Sequence, residues 1–262
     1  MRWRSGNAAV CKTAMRGFDS RPHLQKSLAS SLKICYNDIM VDLSLIKPKD
    51  LWYTVGLIAT DGNLSKDGRH VNITSKDKGL LEGLKKVLFL KLKLTRKSRG
   101  KEKIKKYFVL QIGDVKFYKF LLSIGLSQKK SLILGKVKFP QIYFKDFLRG
   151  VIDGDGNISM WKHKSNKNVQ WSVRIFSASH DFVYWLKAEI ENEFKVKGRL
   201  YKKESDKYNP LYTIKFGKLA GKVILEQCYY KNCMALNRKN SKALDCLKSE
   251  NGLSKYGNVI SI

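Results

Sequence analysis

Leu51-Trp-Tyr-Thr-Val-Gly-Leu-Ile-Ala-Thr-Asp-Gly-Asn-Leu64 returns later in the chain as Lys145-Asp-Phe-Leu-Arg-Gly-Val-Ile-Asp-Gly-Asp-Gly-Asn-Ile158, with Asp155 lying 94 residues after Asp61. Each copy is an apolar run of helical length closed by Asp-Gly. Small residues recur four apart, Gly56 with Thr60 and Gly150 with Gly154, a spacing that puts them on one helix face. Where side chains are that small, two helices can pack with their backbones almost touching, a geometry best described for GxxxG pairs. Gly62 and Gly156 read as the C-cap residues that end the two helices.

Asp61 and Asp155 therefore stand at helix C-terminal ends, where the macrodipole disfavours a carboxylate by roughly 0.3–1 kcal/mol. Such a placement calls for a compensating positive group. If the helices pack side by side, both carboxylates and the free carbonyls of Thr60 and Gly154 converge into an all-oxygen pocket suited to a hard cation such as Mg²⁺ or Ca²⁺. A metal there can polarise a phosphate, activate a water and stabilise a leaving oxygen. A lone Asp-Gly after an apolar run ordinarily only stops a helix. Two copies in the matched contexts GLIATDGN and GVIDGDGN read as a site.

The repeat extends outward from the motif. Each copy is followed by an alternating strand, His70–Ser75 and Val169–Ser177. A helix opened by an acid comes next, with apolar spacing Leu80, Leu84, Val87, Leu88 in the first case and Phe182, Trp185, Leu186, Ile190 in the second. A second hairpin then follows, Lys91–Lys97 with Lys106–Ile112 and Lys195–Lys203 with Leu211–Phe216. Helices Val115–Ile124 and Lys218–Tyr230 close the two units. The predicted fold class is α+β, with two pseudo-symmetric αββαββα units over residues 47–138 and 139–262. The loop around Lys136–Gln141 joins them, and further C-terminal helices belong to the second unit.

Residues 1–46 read as a poorly ordered N-terminal extension. Residues 1–39 are Arg- and Ser-rich and poor in acids, which fits an organellar transit peptide. They fit equally an upstream start with Met40 as the true beginning, since Gly17-Phe-Asp-Ser-Arg-Pro22 resembles translation read through a tRNA gene.

Against 22 acidic side chains the 262 residues carry 52 basic ones, a formal charge of +30. An excess of that size must face a polyanion or repel itself, and nucleic acid is the leading partner. A membrane surface fits less well, because the basic residues interleave with strand patterns and do not follow one amphipathic helix. A hydrophobic fraction of 43% with 12 Phe, 12 Tyr and 5 Trp excludes a disordered basic tail. No apolar run reaches the length of a membrane span and no secretory h-region opens the chain. The expected location is intracellular, in the cytoplasm or nucleoid of a prokaryote or in an organelle matrix. The 5 cysteines, Cys11, Cys35, Cys228, Cys233 and Cys246, include no CxxC pair and read as reduced thiols, the last three packing helices. His23, His70, His163 and His180 have no metal-ligand spacing and no Ser-His-Asp set is visible, though His70 and His163 are possible DNA contacts.

Neighbouring strand residues point to opposite faces. Val71 and Ile73, Trp171, Val173 and Ile175, Phe108, Leu110 and Ile112, and Tyr212, Ile214 and Phe216 are expected in the core. That sends Asn72, Thr74, Tyr107, Gln111, Gln170, Ser172, Arg174, Thr213 and Lys215 to the other face. Lys195, Lys197, Arg199, Tyr201 and Lys203 fall in one outward row. Such faces mix phosphate-binding charge with groups able to read base edges, as suits a β-ribbon in a major groove. Each strand taken singly also fits an ordinary half-exposed sheet.

In these residues the chain resembles the LAGLIDADG homing endonucleases, in their monomeric two-motif form, from about Pro48 to about Leu247. The resemblance implies motif helices at the interface of two halves and two saddle-shaped antiparallel sheets along the DNA major groove. It implies cutting of both strands to leave short 3′ overhangs, with Mg²⁺ as cofactor and Ca²⁺ occupying the site without supporting cleavage. The metal-binding acid is the last acid of each motif, which falls on Asp61 and Asp155. Family members also use a basic residue near the end of each half to stabilise charge on the phosphate. The matching segments, Gly125-Leu-Ser-Gln-Lys-Lys-Ser131 and Leu236-Asn-Arg-Lys-Asn240, nominate Lys130 and Lys239, although in so basic a chain each also reads as a solvated surface charge. One departure is that the first Asp of the motif is Ala59 in the first copy, whereas the second keeps Asp153. The expected function is an intron- or intein-type endonuclease acting as a monomer on a long double-stranded DNA site, asymmetric because the two DNA-facing strand sets differ. The alternatives are an RNA-splicing maturase that binds its host intron and a transcription regulator that binds DNA without cutting.

Overall fold

A computed structural model describes residues 41–98, 104–204, 206 and 209–249. The first unit runs α1 (Pro48–Asp61), β1 (Gly62–Leu64), β2 (His70–Ser75), α2 (Lys78–Val87), β3 (Thr95–Lys97), β4 (Tyr107–Gly113), α3 (Val115–Ser123) and the single turn α4 (Lys130–Ile133). The second runs α5 (Phe144–Asp155), β5 (Gly156–Lys162), β6 (Val169–Ser177), α6 (His180–Phe194), β7 (Arg199–Lys203), β8 (Leu211–Phe216), α7 (Lys218–Cys228) and α8 (Asn237–Lys248). The strands form two four-stranded antiparallel sheets, ordered β1-β2-β4-β3 and β5-β6-β8-β7. The order is the same in both, so the repeat read from the motif extends through each sheet.

The helices α1 and α5 lie against each other between the sheets, and their residues from Trp52 to Ala59 and from Asp146 to Asp153 are buried. Close approach explains the glycines. A Cβ on Gly56 would overlap the carbonyl oxygen of Phe147, and one on Gly150 would overlap that of Tyr53. Phe139, from the connecting segment, stacks on Phe144 and Phe147 at 5.2 and 5.5 Å between ring centroids and meets Trp52 edge-on. This aromatic cluster ties the connector to both motif helices. The expected core positions on β2, β6 and β8 are buried, as are Leu110 and Ile112 on β4, while Phe108 is half-buried.

Three expectations need correction. Gly62 and Gly156 do end the helices, but in extended backbone (φ −81° and −89°), and each opens a strand. Glycine is needed there for space, since a Cβ would come within 2.7 Å of Ile58 and 2.5 Å of the Ile152 oxygen. The strands β1 and β5 supply the first strand of each expected pair, and the same residue closes one element and begins the next. In the second hairpins, Lys91–Leu94 are not strand, and β7 begins only at Arg199 because Lys195 takes a left-handed conformation (φ 52°, ψ 40°) that closes α6. Finally, residues 41–46 of the expected extension pack on the core, with Val41 and Ile46 buried. Asp114 holds them: one carboxylate oxygen caps α3 by accepting from Phe117 N, and the other accepts from Val41 N at 2.8 Å. Residues 1–40, with Cys11, His23 and Cys35, lie outside the described residues.

Candidate active site and nucleic-acid interface

Asp61 and Asp155 are the last residues of α1 and α5, both solvent-accessible. Lys130 and Lys239 arrive from the ends of the two units and are almost completely buried, at 6% and 4% exposure. These are not solvated surface charges. Lys130 Nζ donates to the Thr60 carbonyl at 2.9 Å, and Lys239 Nζ donates to those of Ile152, Asp153 and Gly154 at 2.6, 2.7 and 3.1 Å. Each lysine thus caps the negative end of one motif helix and supplies the positive group that the helix dipole requires beside a carboxylate.

Burial pushes both lysines down to about 8, and the negative charges of Asp61 and Asp155 oppose that fall at each of them. At neutral pH both remain cationic. Although Asp155 stays accessible, the protein around it partly desolvates its carboxyl and raises it above its ordinary value, against the pull of Lys130 and Lys239. Two carboxylates and two ammonium groups therefore share one electrostatic neighbourhood. The carbonyls of Thr60 and Gly154, expected as metal ligands, accept from ammonium groups, because the lysines reach these helix-end carbonyls from elsewhere in the chain.

A second buried network lies behind the α5 end. Asp153 accepts from Tyr53 Oη at 2.8 Å, Tyr229 Oη at 2.7 Å and Leu236 N at 2.6 Å. Burial raises its pKa, partly offset by those bonds. Leu236 immediately precedes α8, so Asp153 fixes the segment that carries Lys239. Arg149, fully buried, bonds Asp146, the Cys228 carbonyl and the Met234 carbonyl in the same region. Sequence reading noted Asp153 only as a retained motif acid, and no local pattern signals partners lying far along the chain.

The outer face of the first sheet carries Asn72, Thr74, Tyr107 and Gln111, and that of the second carries Gln170, Arg174, Thr213, Lys215, Arg199, Tyr201 and Lys203, all at least partly accessible. Asp61 opens onto a cleft lined by Thr74, Lys97, Ser98 and Tyr107, and Asp155 onto one lined by Thr60, Lys130, Ser131 and Ser177. Three expected contacts stand apart. Lys195 and Lys197 precede β7 and do not share its row. Ser172 is fully buried; parity sends it outward, but its side chain is shorter than those of Gln170 and Arg174 on either side. Sequence reading missed Asn63, Asn157, Ser159 and Trp161 on the same faces because it gave the first strand of each unit no bounds. The alternation from Gly156 to Lys162 would have revealed the last three.

Among the described residues no group of three or more His, Cys, Asp or Glu is arranged to hold a metal, and no helix is long and apolar enough to cross a membrane. No curated protein sequence matches the chain. Residues 49–125 match the model of a LAGLIDADG-like domain. Among solved structures, I-WcaI bound to its DNA recognition sequence matches over 76% of this chain and 87% of its own, at 15% identity and a TM-score of 0.51. Mesophilic variants of I-DmoI match over 76% of this chain and 97% of theirs, at 15% identity and a TM-score of 0.49. Full-length DUF199/WhiA from Thermatoga maritima matches over 80% of this chain, at 14% identity and a TM-score of 0.47, and this chain spans 64% of its length. Residues 49–125, which hold the first motif helix, are thus similar to a LAGLIDADG-like domain, and the second unit repeats the same helix junction and sheet order.

Proposed function

We propose that this chain is a site-specific DNA endonuclease that cuts both strands of a long asymmetric duplex, leaving short 3′ overhangs, and that it acts as a monomer from within an intron or intein. The supporting observation is the pairing of two accessible carboxylates with two buried ammonium groups where the motif helices end, between two sheets whose outer faces are polar and basic. A site built only to bind DNA has no need of carboxylates facing a polyanion, since they repel phosphate.

The donor set fits a divalent cation. Asp61 and Asp155 offer hard oxygen ligands, and Mg²⁺ commonly takes one or two carboxylates and completes its shell with water and substrate phosphate oxygens. Such an ion would supply Lewis-acid activation of the phosphate and of a water. Lys130 and Lys239 stay protonated at neutral pH and lie near both acids, so they offset charge that builds on the scissile phosphates. Their carbonyl bonds keep the ammonium groups in place before substrate arrives, which avoids reorganisation during the reaction. Arg174, Lys215, Arg199 and Lys203 bind the backbone and base edges and set the register of the duplex.

The test is incubation of the purified protein with duplexes spanning the flanks of its own gene, in Mg²⁺, Ca²⁺ or EDTA. Discrete double-strand cuts with 3′ overhangs in Mg²⁺ only are expected. Tight binding to duplex with no cutting in Mg²⁺ would replace the nuclease by a regulator. Binding to the host intron RNA in place of duplex would replace it by a maturase.

A further inference from the structure

The two sheets carry equivalent rows of different chemistry. In the first, Asn63, Asn72 and Gln111 stand side by side across β1, β2 and β4. In the second, Asn157, Arg174, Lys215 and Arg199 stand side by side across β5, β6, β8 and β7. The rows correspond, because each begins two residues after its motif acid and each adjoins a matching row of glycine and two apolar residues. Those neighbours are Gly62, Ile73 and Leu110 in the first sheet, and Gly156, Ile175 and Ile214 in the second. At a rise of roughly 3.3 Å per residue each row lies about 7 Å along the strand from its acid. These rows are therefore next to the reacting phosphates.

Three cations directly opposite one another destabilise a sheet unless a partner supplies acceptors. Among the described residues no acid pairs with Arg174, Lys215 or Arg199, and the buried Nε of Arg174 has no hydrogen-bond partner. The amide row differs. Asn72 gives one N–H to Ser65 Oγ at 3.1 Å, which leaves a second N–H and the carbonyl oxygen, and Gln111 is exposed. An amide matches the N7 acceptor and N6 donor of adenine, whereas Arg and Lys match the two acceptors of guanine.

We infer that the base pairs nearest the cut are read asymmetrically, adenine by the first sheet through Asn72 and Gln111 and guanine by the second through Arg174 and Lys215. This rests on the proposed placement of both sheets in the major groove of a duplex. The experiment is selection by the full-length protein, in Ca²⁺, from a pool of randomised DNA duplexes, followed by sequencing of the bound fraction. Wild-type protein is expected to enrich a site with adenine on one side of its centre and guanine on the other. The double substitution Asn72→Arg with Gln111→Lys is expected to switch the first preference to guanine, and Arg174→Gln with Lys215→Gln to relax the second, each by about tenfold. An enriched site without that asymmetry overturns the inference and leaves DNA binding intact. Enrichment of no duplex at all removes the binding reading itself. The wild-type selection decides the matter even if a variant fails to fold, which a thermal melt of each variant would show.

Discussion

The two motif helices end alike in their acids and differently in what secures them. At the end of α5, Asp153 gathers three hydrogen bonds and Lys239 caps three carbonyls; at the end of α1, Ala59 stands in the place of Asp153 and Lys130 caps one carbonyl. The elements common to both ends are the acid, the lysine and the glycine that lets the helices meet. Among the described residues the extra polar network gathers at the end of α5, and because it draws in Tyr53 from α1 it ties the two motif helices together as well as placing Lys239. The proposed reaction asks for symmetry at the phosphates, and the scaffold behind them is free to diverge.

The shared feature should be the most costly to disturb. Gly150→Ala or Gly56→Ala drives a methyl group into a facing backbone that has no rotamer to relieve it, and a loss of about 3 kcal/mol or more is expected in urea unfolding. Gly135→Ala is the control, since a Cβ there meets nothing within 4 Å. Equal stability of G150A and G135A would mean that the helices do not pack as described. Next comes the network found at one end. Asp153→Ala strands two tyrosine hydroxyls and the Leu236 N–H, with an expected loss of about 2–3 kcal/mol. A fully stable variant would show that Asp153 anchors nothing.

The lysines sharpen the comparison further. Lys239→Met removes the donor from three carbonyls and Lys130→Met from one, so the former should cost about 1–2 kcal/mol more in the same denaturation. Equal losses would make the two ends equivalent after all. The smallest effect is expected at Ser172, whose buried hydroxyl has no hydrogen-bond partner. Ser172→Ala should leave stability within about 0.5 kcal/mol or raise it, because it removes an unsatisfied buried group. It should also leave DNA affinity unchanged, and a binding defect in a gel-shift titration would return Ser172 to the interface.

Much of this was legible in the sequence for reasons of period. The helical motif, its glycines four apart, the alternation of β2, β6 and β8 and the duplicated element order are local patterns, and each appears in the structure. The dipole at Asp61 and Asp155 likewise called for a positive group. Its identity came only through the resemblance, which nominated Lys130 and Lys239, because lysines from distant segments have no periodicity of their own to mark them. Boundaries failed where one residue has two duties. Gly62 and Gly156 end a helix and start a strand, and Lys195 looks like an outward strand position until its left-handed backbone closes α6. The first-half strand β3 shrank to Thr95–Lys97 because the lysines before it mimic an alternating strand in composition alone.

The most direct measurement follows one bound duplex through both binding and cutting for the wild type, Asp61→Asn and Asp155→Asn, with affinity measured in EDTA and cleavage in Mg²⁺. Each variant should bind nearly as well as the wild type and lose cleavage by on the order of a hundredfold or more, since in the proposed site the removed carboxylate would hold the metal. Cleavage at the wild-type rate by either variant, with binding intact, would contradict the assignment of the two motif acids as the cutting site.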